Sequence, residues 1–156
     1  MMKIFIENPA DKTLVSVEDW KKVENPQSAQ VVIIQTSETA GIKIHKKELA
    51  GRYDFREAQE AVTSVLDFDD TSFRCPTRRE CLDIYDARFQ GLDEALEVIG
   101  GDKLDDHYIW TCESDTDPEY SSLLAFFFHG HFGVLYDTTK YGSYSVRPVT
   151  ALQFVK

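Results

Sequence analysis

Two histidines in LLAFFFHGHFGVLY, residues 123–136, are the first side chains to consider as metal ligands. His129 and His131 flank one glycine, and imidazole is a common ligand of zinc and other transition metals. The sequence contains no HExxH motif and offers no evident third ligand beside the pair. The pattern therefore favours histidines that lie in a turn, and we predict no metal site and no cofactor.

Cysteine chemistry is a second possibility. The chain has 3 cysteines, Cys75, Cys81 and Cys112, so a monomer cannot pair all of them in disulfides. Their spacing matches no standard zinc pattern, which favours small buried side chains. The alternative is a metal site in which two cysteines join His129 and His131.

Three acidic segments carry carboxylates that could bind calcium or cleave a glycosidic bond. Residues 114–119, SDTDPE, supply oxygens of the kind that calcium prefers, but the spacing of an EF-hand loop is missing. Residues 67–70 and 102–106 could supply the carboxylate pair of a glycoside hydrolase, which must lie about 5–10 Å apart. All three fall in predicted loops, so a solvated acidic surface is favoured over calcium binding, and we predict no catalytic residue.

The run of three phenylalanines before His129 is the best candidate for a binding surface. Strand alternation would direct Leu124, Phe126 and Phe128 to one face and Leu123, Ala125 and Phe127 to the other. One face can be core, while the other would expose an aromatic surface beside His129, His131, Phe132 and Tyr136. A strand that is buried on both faces is the alternative, because a continuous apolar run is typical of such strands.

The composition indicates one folded unit and excludes several classes of partner. The chain has 156 residues, of which 42% are hydrophobic, enough to bury a core. Its formal net charge of −10 repels phosphate backbones and anionic lipids, so we predict no nucleic-acid partner and no membrane insertion. The start, MMKIFIENPADK, lacks the apolar region of a signal peptide, so we expect a soluble protein made in the cytoplasm.

The first 50 residues predict a small module rich in β-structure. MKIFIE predicts a short strand that ends at Asn8-Pro9, and residues 16–19 have the form of a capping box that opens a brief helix. VVIIQT (31–36) and GIKIH (41–45) predict the two strands of a hairpin.

The rest of the chain predicts helices followed by strands. Asp54 with Glu57 caps a helix that runs to Val65, and Thr77 with Glu80 caps a second. The buried stripe of the second helix is predicted to contain Cys81, Ile84, Tyr85 and Phe89. A third helix, LDEALEVI, ends at Gly100-Gly101. HYIWTCES, SLLAFFFH, FGVLYDT and SYSVRPV predict strands of an antiparallel sheet, so the predicted fold class is α+β.

Three segments resemble a known family, in the same order and with ordinary spacing. FRCPTRREC (73–81) looks like the "W-R-L-P-T-x-x-E-L" segment of the collagen-like-adhesin C-terminal domain family. IGG (99–101) before YIWTC (108–112) looks like its "I-G-G … Y-x-W-S-S" passage, and YSVRPV (144–149) looks like its "Y-Y-V-R-P-V" ending. Phe73 replaces the usual Trp, and Cys75 and Cys81 replace Leu. That family is allied to formylglycine-generating enzymes and to the C-type lectin fold.

The resemblance implies a C-type-lectin-like domain over residues 51–156, after the N-terminal module of residues 1–50. It implies fold-holding roles for Arg74, Pro76, Thr77, Glu80, Trp110, Arg147 and Pro148. Relatives with a similar N-terminal segment look like proteins of phages and prophages of gut bacteria. In such families the lectin-like domain binds host receptors through a surface that retroelements sometimes diversify.

Two hypotheses on function follow from the aromatic run and the resemblance. The first is a non-enzymatic phage or prophage protein, such as a tail-fibre protein, that binds a host cell-surface glycan or protein through its C-terminal hairpin and loops. The residues predicted to bind the ligand are Phe127, His129, His131, Phe132, Tyr136, Lys140 and Tyr141. The alternative is a virion structural or fibre-attachment protein in which the same residues build a homo-oligomer such as a trimer. A glycan hydrolase is a third hypothesis, with less support.

Overall fold

Strands and helices follow one another in blocks along the chain, and the described strands build two antiparallel sheets. A computed structural model describes residues 2–64, 73–104, 108–120, 124–129 and 133–154. The strands are β1 (Lys3–Glu7), β2 (Leu14–Ser16), β3 (Val31–Gln35), β4 (Ala40–His45), β5 (Tyr108–Ser114), β6 (Leu124–His129), β7 (Val134–Thr139) and β8 (Val149–Gln153). The helices are α1 (Val17–Trp20), α2 (Phe55–Val62), α3 (Arg78–Ala87) and α4 (Asp93–Val98). The predicted α+β class is confirmed.

The strands divide into a large and a small sheet. The large sheet has the order β2-β1-β3-β4-β8, and the small sheet has the order β5-β6-β7. The predicted first strand, the brief helix and the hairpin of β3 and β4 are confirmed. Ser16 accepts a hydrogen bond from the backbone N–H of Asp19 at 3.1 Å, as the capping box predicts.

The last strand differs from the sequence prediction. SYSVRPV is predicted to be a strand beside the aromatic segments, but this is wrong, because Tyr144 and Ser145 make only isolated bridges, to Tyr53 and Ile109. The regular strand is β8, which pairs with β4 in the large sheet. Pro148 has no N–H to give to a sheet, so the regular strand begins only after it, at Val149. The large sheet therefore contains residues from both sides of position 50.

Apolar side chains cover both faces of the large sheet. On one face, Ile6 and Ile34 pack in a cluster with Ile84 of α3 and Leu96 of α4. On the other face, α2 and the small sheet contribute to a second cluster, which includes Val31, Ile33, Phe55, Phe73, Trp110 and Phe127. β3 lies between β1 and β4, and both of its faces are covered by these clusters. Its sequence VVIIQ is therefore apolar without alternation.

Both predicted capping boxes are present. Asp54 accepts from the N–H of Glu57 at 2.8 Å, and Glu57 accepts from the N–H of Asp54 at 3.1 Å. Thr77 and Glu80 repeat the arrangement at 3.1 and 2.9 Å. Each box satisfies two N–H groups that the first turn of a helix leaves without partners, so both helices begin where the sequence predicts.

The ends of α2 and α3 come earlier than predicted. α2 ends at Val62, and Val65 lies outside the described residues. α3 ends at Ala87, because the turn that follows contains Gly91 with a φ of 117°. The turn carries Phe89 away from the buried stripe of α3 and leaves it 71% exposed, so its predicted burial is wrong.

α4 ends at the predicted glycine pair. Gly100 has a φ of 74°, and its N–H donates to the carbonyl of Glu97 at 3.1 Å. The N–H of Gly101 donates to the carbonyl of Leu96 at 2.7 Å, which completes a Schellman motif. A Cβ atom at position 101 would lie 2.8 Å from the carbonyl oxygen of Lys46, so this loop lies directly against the end of β4.

One buried arginine joins three parts of the chain beside that loop. Arg147 is 1% exposed, and its guanidinium donates to the carbonyls of His45, Lys46 and Asp102 at 3.1, 2.9 and 2.7 Å. The carboxylate of Glu48 lies 4.0 Å away. A guanidinium keeps its charge on burial, so these acceptors offset the loss of its hydration. The contacts hold the segment before β8 against the end of β4 and the loop after α4.

A second arginine ties the start of α3 to the residues before it. Arg74 donates to both carboxylate oxygens of Glu80, at 2.6 and 2.8 Å, and the side chain of Glu80 is 12% exposed. Burial alone would raise the pKa of Glu80, but the hydrogen bonds from Arg74 and Thr77 outweigh burial and lower that pKa. The pair therefore stabilises the fold when Glu80 is ionised.

Replacing Arg147 with lysine should lower the free energy of unfolding by about 2–4 kcal/mol. An ammonium group cannot reproduce the planar fork that reaches three carbonyls, so buried acceptors lose their donor. Chemical denaturation followed by circular dichroism measures the change. Arg79→Lys is the control, because that side chain is 83% exposed, and it should cost less than about 0.5 kcal/mol. Equal losses in the two variants would contradict the role of Arg147.

Replacing Glu80 with glutamine should lower the free energy of unfolding by about 1–3 kcal/mol at neutral pH. Glutamine can keep the capping box, so the loss isolates the carboxylate charge. Because folding lowers the pKa of Glu80, its contribution is present above about pH 4.3, the usual value in an unfolded chain, and is lost as the pH falls through the folded pKa. Denaturation curves of the wild type and the variant should therefore converge once the pH falls below the folded pKa of Glu80.

The matched control for this pH dependence is Glu57→Gln. Glu57 holds the same position in the capping box of α2, and its side chain is exposed. This substitution should change the free energy of unfolding by less than about 0.5 kcal/mol at either pH. If Glu80→Gln still costs as much in acid as at neutral pH, the charge of Glu80 is not what stabilises the start of α3.

Candidate functional site

Five rings form a patch on one side of the small sheet, which we call the aromatic face: Tyr108, Phe127, His129, Tyr136 and Tyr144. The strand register brings four of them together, because Tyr108 lies opposite His129, and Phe127 lies opposite Tyr136. Tyr144 comes from the segment before β8 and packs against Phe127. The aromatic face therefore combines all three strands of the small sheet with the YSVRPV segment.

Phe127 lies at the centre of the aromatic face. Its ring stacks on that of Tyr144, with the centroids 4.6 Å apart and 10° between the planes. Tyr136 and Tyr108 lie 5.3 and 5.4 Å from it, and Tyr108 also meets the His129 ring edge-on at 4.5 Å. Stacked and edge-on pairs at these distances are favourable, so the rings hold one another in place before any ligand binds.

The two tyrosines on the outer strands form the accessible part of the aromatic face. Tyr108 and Tyr136 are each 43% exposed, whereas Phe127 is 8% and His129 is 7% exposed. Phe128, on the opposite side of β6, is buried as well. Of the two alternatives for the phenylalanine run, the structure has the strand that is covered on both faces. A ligand on this face would meet the two tyrosines first.

A pocket of about 260 Å³, which we call the Lys140 pocket, follows the end of β7. Its lining residues are Asp54, Arg56, Lys140 and Tyr141. Tyr141 is 82% exposed, and the ammonium group of Lys140 lies 5.1 Å from the centroid of the Phe55 ring. The pocket combines two cations, a carboxylate and a phenol, which can donate and accept several hydrogen bonds.

Trp110 links the Lys140 pocket to the aromatic face from within the core. It is fully buried and meets the rings of Phe55 and Tyr144 edge-on, at 5.4 and 5.0 Å. Its indole N–H donates to the carbonyl of Tyr53 at 2.7 Å, and its backbone N–H donates to Ser145 at 3.1 Å. One tryptophan thus joins its own strand, β5, to two segments that border the candidate site, residues 53–55 and 144–145.

The residues of the three resembling segments make contacts that join distant parts of the chain. Arg74 and Val149 exchange two backbone hydrogen bonds of 2.9 Å. The carbonyl of Pro76 accepts from the N–H of Cys112 at 2.9 Å, and the carbonyl of Pro148 accepts from His45 at 3.0 Å. Together with the contacts of Thr77, Glu80, Trp110 and Arg147, these bonds place the three segments side by side.

A shallow groove of about 420 Å³, which we call the α3 groove, lies on the side of the small sheet opposite the aromatic face. It is lined by Thr77, Arg78, Arg79, Leu82, Glu113 and Leu135. The guanidinium of Arg78 lies 4.3 Å from the centroid of the Phe126 ring, and its backbone N–H donates to Glu113 at 2.5 Å. Glu113 therefore occupies the N-terminus of α3, where the helix favours a negative charge.

The acidic segments use their carboxylates in turns and loops. Asp115 accepts from the N–H of Asp117 at 2.8 Å, and Asp117 accepts from the N–H of Glu119 at 2.9 Å. Burial alone would raise the pKa of Asp102, but the hydrogen bond from the N–H of Glu48 helps to outweigh burial and lowers that pKa. In the described ranges, no three histidine, cysteine, aspartate or glutamate side chains group as metal ligands would.

The cysteines lie in surroundings that suppress nucleophilic reactivity. Burial raises the pKa of Cys75 to about 12 and raises that of Cys81 well above its usual range. Cys112 is half-buried, and burial is also the main cause of its raised pKa. None of the three forms a disulfide. Since the thiolate is the reactive form, all three thiols are poor nucleophiles at neutral pH.

Some predicted residues lie outside the described parts of the chain. They are His131 and Phe132 of the predicted ligand-binding set, the acidic run 67–70, and residues 105–106 of the second acidic run. Of the described members of that set, Phe127, His129 and Tyr136 lie on the aromatic face, and Lys140 and Tyr141 lie at the pocket beside it.

Sequence reasoning did not identify Tyr108 and Tyr144 as members of the site. Tyr108 lies two positions before Trp110 in a strand, and this spacing alone places both side chains on one face. Tyr144 gave no comparable signal, because its stacking on Phe127 depends on contacts between segments far apart in the chain. Asp54 and Arg56, at the start of α2, also gave no signal, because they line the Lys140 pocket only through contacts with residues far apart in the chain.

Comparison of the chain with models of known protein families and with curated proteins gives no match. Among the helices that the structure describes, none is long and apolar enough to cross a membrane. The function must therefore be argued from the chemistry of the aromatic face and the Lys140 pocket.

The raised pKa values predict slow thiol chemistry in the folded protein. At about pH 8, a thiol reagent should modify Cys75 and Cys81 only as fast as the protein unfolds, and Cys112 slowly. In denaturant all three should react at once. The absorbance of the group that the reagent releases gives the rates of modification, and mass spectrometry assigns these rates to residues. Rapid modification of Cys75 or Cys81 without denaturant would overturn this account of the cysteines.

Proposed function

We propose that this protein is a non-enzymatic binding protein that recognises a cell-surface glycan or protein through the aromatic face and the Lys140 pocket. The observation that carries the proposal is the pair of half-exposed tyrosines, Tyr108 and Tyr136, on either side of a ring stack. Amphipathic rings of this kind offer an apolar surface and a polar hydroxyl at little entropic cost. Such rings stack on sugar rings and fill pockets of protein partners.

The Lys140 pocket supplies the polar part of the proposed interface. Arg56 and Lys140 can donate to hydroxyl or carboxylate oxygens of a ligand, while Asp54 can accept from hydroxyl groups. Ligand sites commonly combine an apolar surface with a few such groups that fix orientation. The arrangement favours a ligand with ring faces and several hydroxyl or acidic groups, as a surface glycan has.

The proposal includes a C-type-lectin-like fold and an origin in a phage or prophage, as a tail-fibre or other receptor-binding protein. The sequence resemblance supports it, and so do the contacts between the resembling segments in the structure. The three segments that resemble the collagen-like-adhesin C-terminal domain family meet through Arg74 with Val149, Pro76 with Cys112, and Trp110 with Ser145. A shared framework that presents a variable surface is the design that the resemblance implies.

A non-enzymatic role is supported by the state of the reactive side chains. The three thiols have raised pKa values, and the carboxylates of Asp115 and Asp117 accept hydrogen bonds from their own loop. A nucleophile with an adjacent base, or a carboxylate pair across a cleft, would be needed for hydrolysis. The aromatic face offers contact area and orientation instead.

Binding to a panel of purified surface glycans and bacterial cells tests the proposal. Tyr108→Ala and Tyr141→Ala should each weaken binding about tenfold, the equivalent of about 1.4 kcal/mol, because each removes an exposed ring. Tyr120→Ala is the matched control, since Tyr120 is 44% exposed in a turn beyond the aromatic face, and it should bind like the wild type. Labelled protein and titration calorimetry give the affinities.

Circular dichroism must first show that all three variants fold. If Tyr120→Ala weakens binding as much as Tyr108→Ala and Tyr141→Ala, the binding surface lies elsewhere. If the wild type binds none of the glycans or cells, the receptor-binding function is rejected for that panel. If the wild type binds cells but none of the purified glycans, and the Tyr108→Ala and Tyr141→Ala variants lose the binding to cells, the result would indicate a protein receptor.

A further inference from the structure

The outer edge of β7 is the longest exposed strand edge in the described structure. β7 spans Val134–Thr139 and pairs with β6 along its whole length without a bulge. No described strand pairs with its other edge. The edge strand β2 is only three residues long. Edge strands with open N–H and C=O groups are templates for pairing with another strand.

The other long edges are covered in part, whereas no described strand covers that of β7. The outer edge of β5 bonds to Pro76 and Ser145 through backbone groups. The strand itself is irregular, because its pairing with β6 shifts register between Trp110 and Ser114. Among the described residues, β8 bonds to Arg74 at its first residue, Val149, which leaves the shorter stretch Thr150–Gln153 open. The sequence of β7, VLYDTT, contains no lysine or proline, which are the residues that usually discourage edge pairing.

Apolar side chains flank the β7 edge on both sides of the small sheet. On the aromatic face, Val134 is 39% and Tyr136 is 43% exposed. On the opposite side lie Leu82 of α3, which is 40% exposed, and Phe89 of the turn after α3, which is 71% exposed. The Tyr85 ring, which meets Phe89 edge-on, packs against Gly133 at the start of β7. A strand added at this edge would therefore bury apolar surface on both faces.

We propose that two copies of this chain pair through β7, edge to edge and antiparallel, about a two-fold axis. β7 complements itself, because it alternates Val134, Tyr136 and Thr138 on one face with Leu135, Asp137 and Thr139 on the other. The pairing joins two three-stranded sheets into one six-stranded sheet. It goes beyond ligand binding, since it specifies a second copy as the partner of the β7 edge, which shares Tyr136 with the aromatic face.

Side-chain alternation, the number of paired residues and charge together favour one register. Residues directly opposite each other in an antiparallel pair point to the same face of the sheet. The two-fold axis keeps the faces of the two copies on the same side, so opposite residues must be an even number of positions apart in the sequence. The axis therefore passes through a residue of β7, which we call the centre of the register. Only centres at Tyr136 and Asp137 keep five residues of β7 paired. A centre at Asp137 would place two carboxylates opposite each other, which is destabilising. A centre at Tyr136 keeps residues 134–138 paired, with Tyr136 opposite Tyr136 and Val134 opposite Thr138. Aromatic pairs of this kind stabilise sheets.

The size and charge of the interface determine the expected strength. One pair of short strands buries less area than a standard stable interface, so the dissociation constant should be on the order of micromolar or weaker. Each copy carries a formal net charge of −10, so the copies repel each other at low ionic strength. Added salt screens that repulsion and should strengthen the dimer.

A two-fold axis perpendicular to the sheet keeps both aromatic faces on the same side of the dimer. This consequence depends on the proposed function, whereas the pairing itself does not. Two ligand sites on one surface would bind a repetitive cell surface more tightly than one site, without any new contact to the ligand.

Sedimentation velocity without any ligand tests the pairing, at protein concentrations up to about 0.5 mM and at ionic strengths of about 0.02 and 0.5 M. The wild type should shift from monomer to dimer with concentration, and more so in high salt. Tyr136→Lys should abolish the shift, because two lysines would lie opposite each other. Tyr108→Lys is the matched control, since Tyr108 is equally exposed on the other edge strand, and it should dimerise like the wild type.

Two results would overturn the proposal. A wild type that stays monomeric at the highest concentration in high salt shows that β7 does not pair. A dimer that Tyr136→Lys and Tyr108→Lys affect equally shows that another surface makes it. Because no ligand is present, either result is distinct from a failure of glycan or receptor binding.

Cross-linking tests the register itself in a Cys112→Ser background, in which the remaining native thiols are buried. A short thiol-specific cross-linker should join two copies of the Tyr136→Cys variant, since directly opposite Cβ atoms lie about 5 Å apart. Thr139→Cys is the control, because in this register the two positions lie about 20 Å apart. Efficient linking at position 139, or none at position 136, would reject the register.

Discussion

The burial of the Arg147 guanidinium is the constraint on which the arrangement of the two sheets depends. A charged group in the core needs acceptors, and these are carbonyls from the end of β4 and from the loop after α4. The glycine pair after α4 lies against Lys46, and the N–H of Asp102 donates to the carbonyl of Lys46 at 2.7 Å, which brings the three carbonyls together. The chain therefore passes from the bridge between Ser145 and Ile109 through Arg147 and enters the large sheet as β8.

The position of Arg147 also determines the candidate site. Tyr144 and Ser145 precede it and bond to Tyr53 and Trp110, so the ring of Tyr144 comes to lie on Phe127. The aromatic face is thus assembled by the same segment that closes the large sheet. In physical terms, a buried charge in the core fixes the geometry of rings at the surface.

The sequence predicted the features that depend on neighbouring residues. The capping boxes, the hairpin of β3 and β4 and the glycine pair after α4 involve side chains and turns within a few positions of one another. Features that depend on distant partners were not predicted. β8 pairs with β4 across about a hundred residues. The exposure of Phe89 follows from a turn at Gly91, and a periodic pattern of apolar residues does not show where a helix ends.

The same distinction applies to the candidate site. Alternation correctly separated Phe127 from Phe128, because it depends only on the geometry of one strand. It could not show that both faces of β6 are covered, because the cover comes from α2, α3 and the large sheet. For this reason the sequence included Phe127 and His129 in the contact surface, while the structure gives most of the accessible area to Tyr108, Tyr136 and Tyr141.

The burial of β6 on both faces separates the residues that maintain the fold from those that evolution can change. Phe127 and Phe128 each belong to a core cluster, so substitutions there would leave cavities. Tyr108, Tyr136 and Tyr141 lie on the neighbouring strands and the loop after β7, where side chains contribute little to the core. Selection can therefore alter the chemistry of this surface, position by position, while the framework below it stays the same.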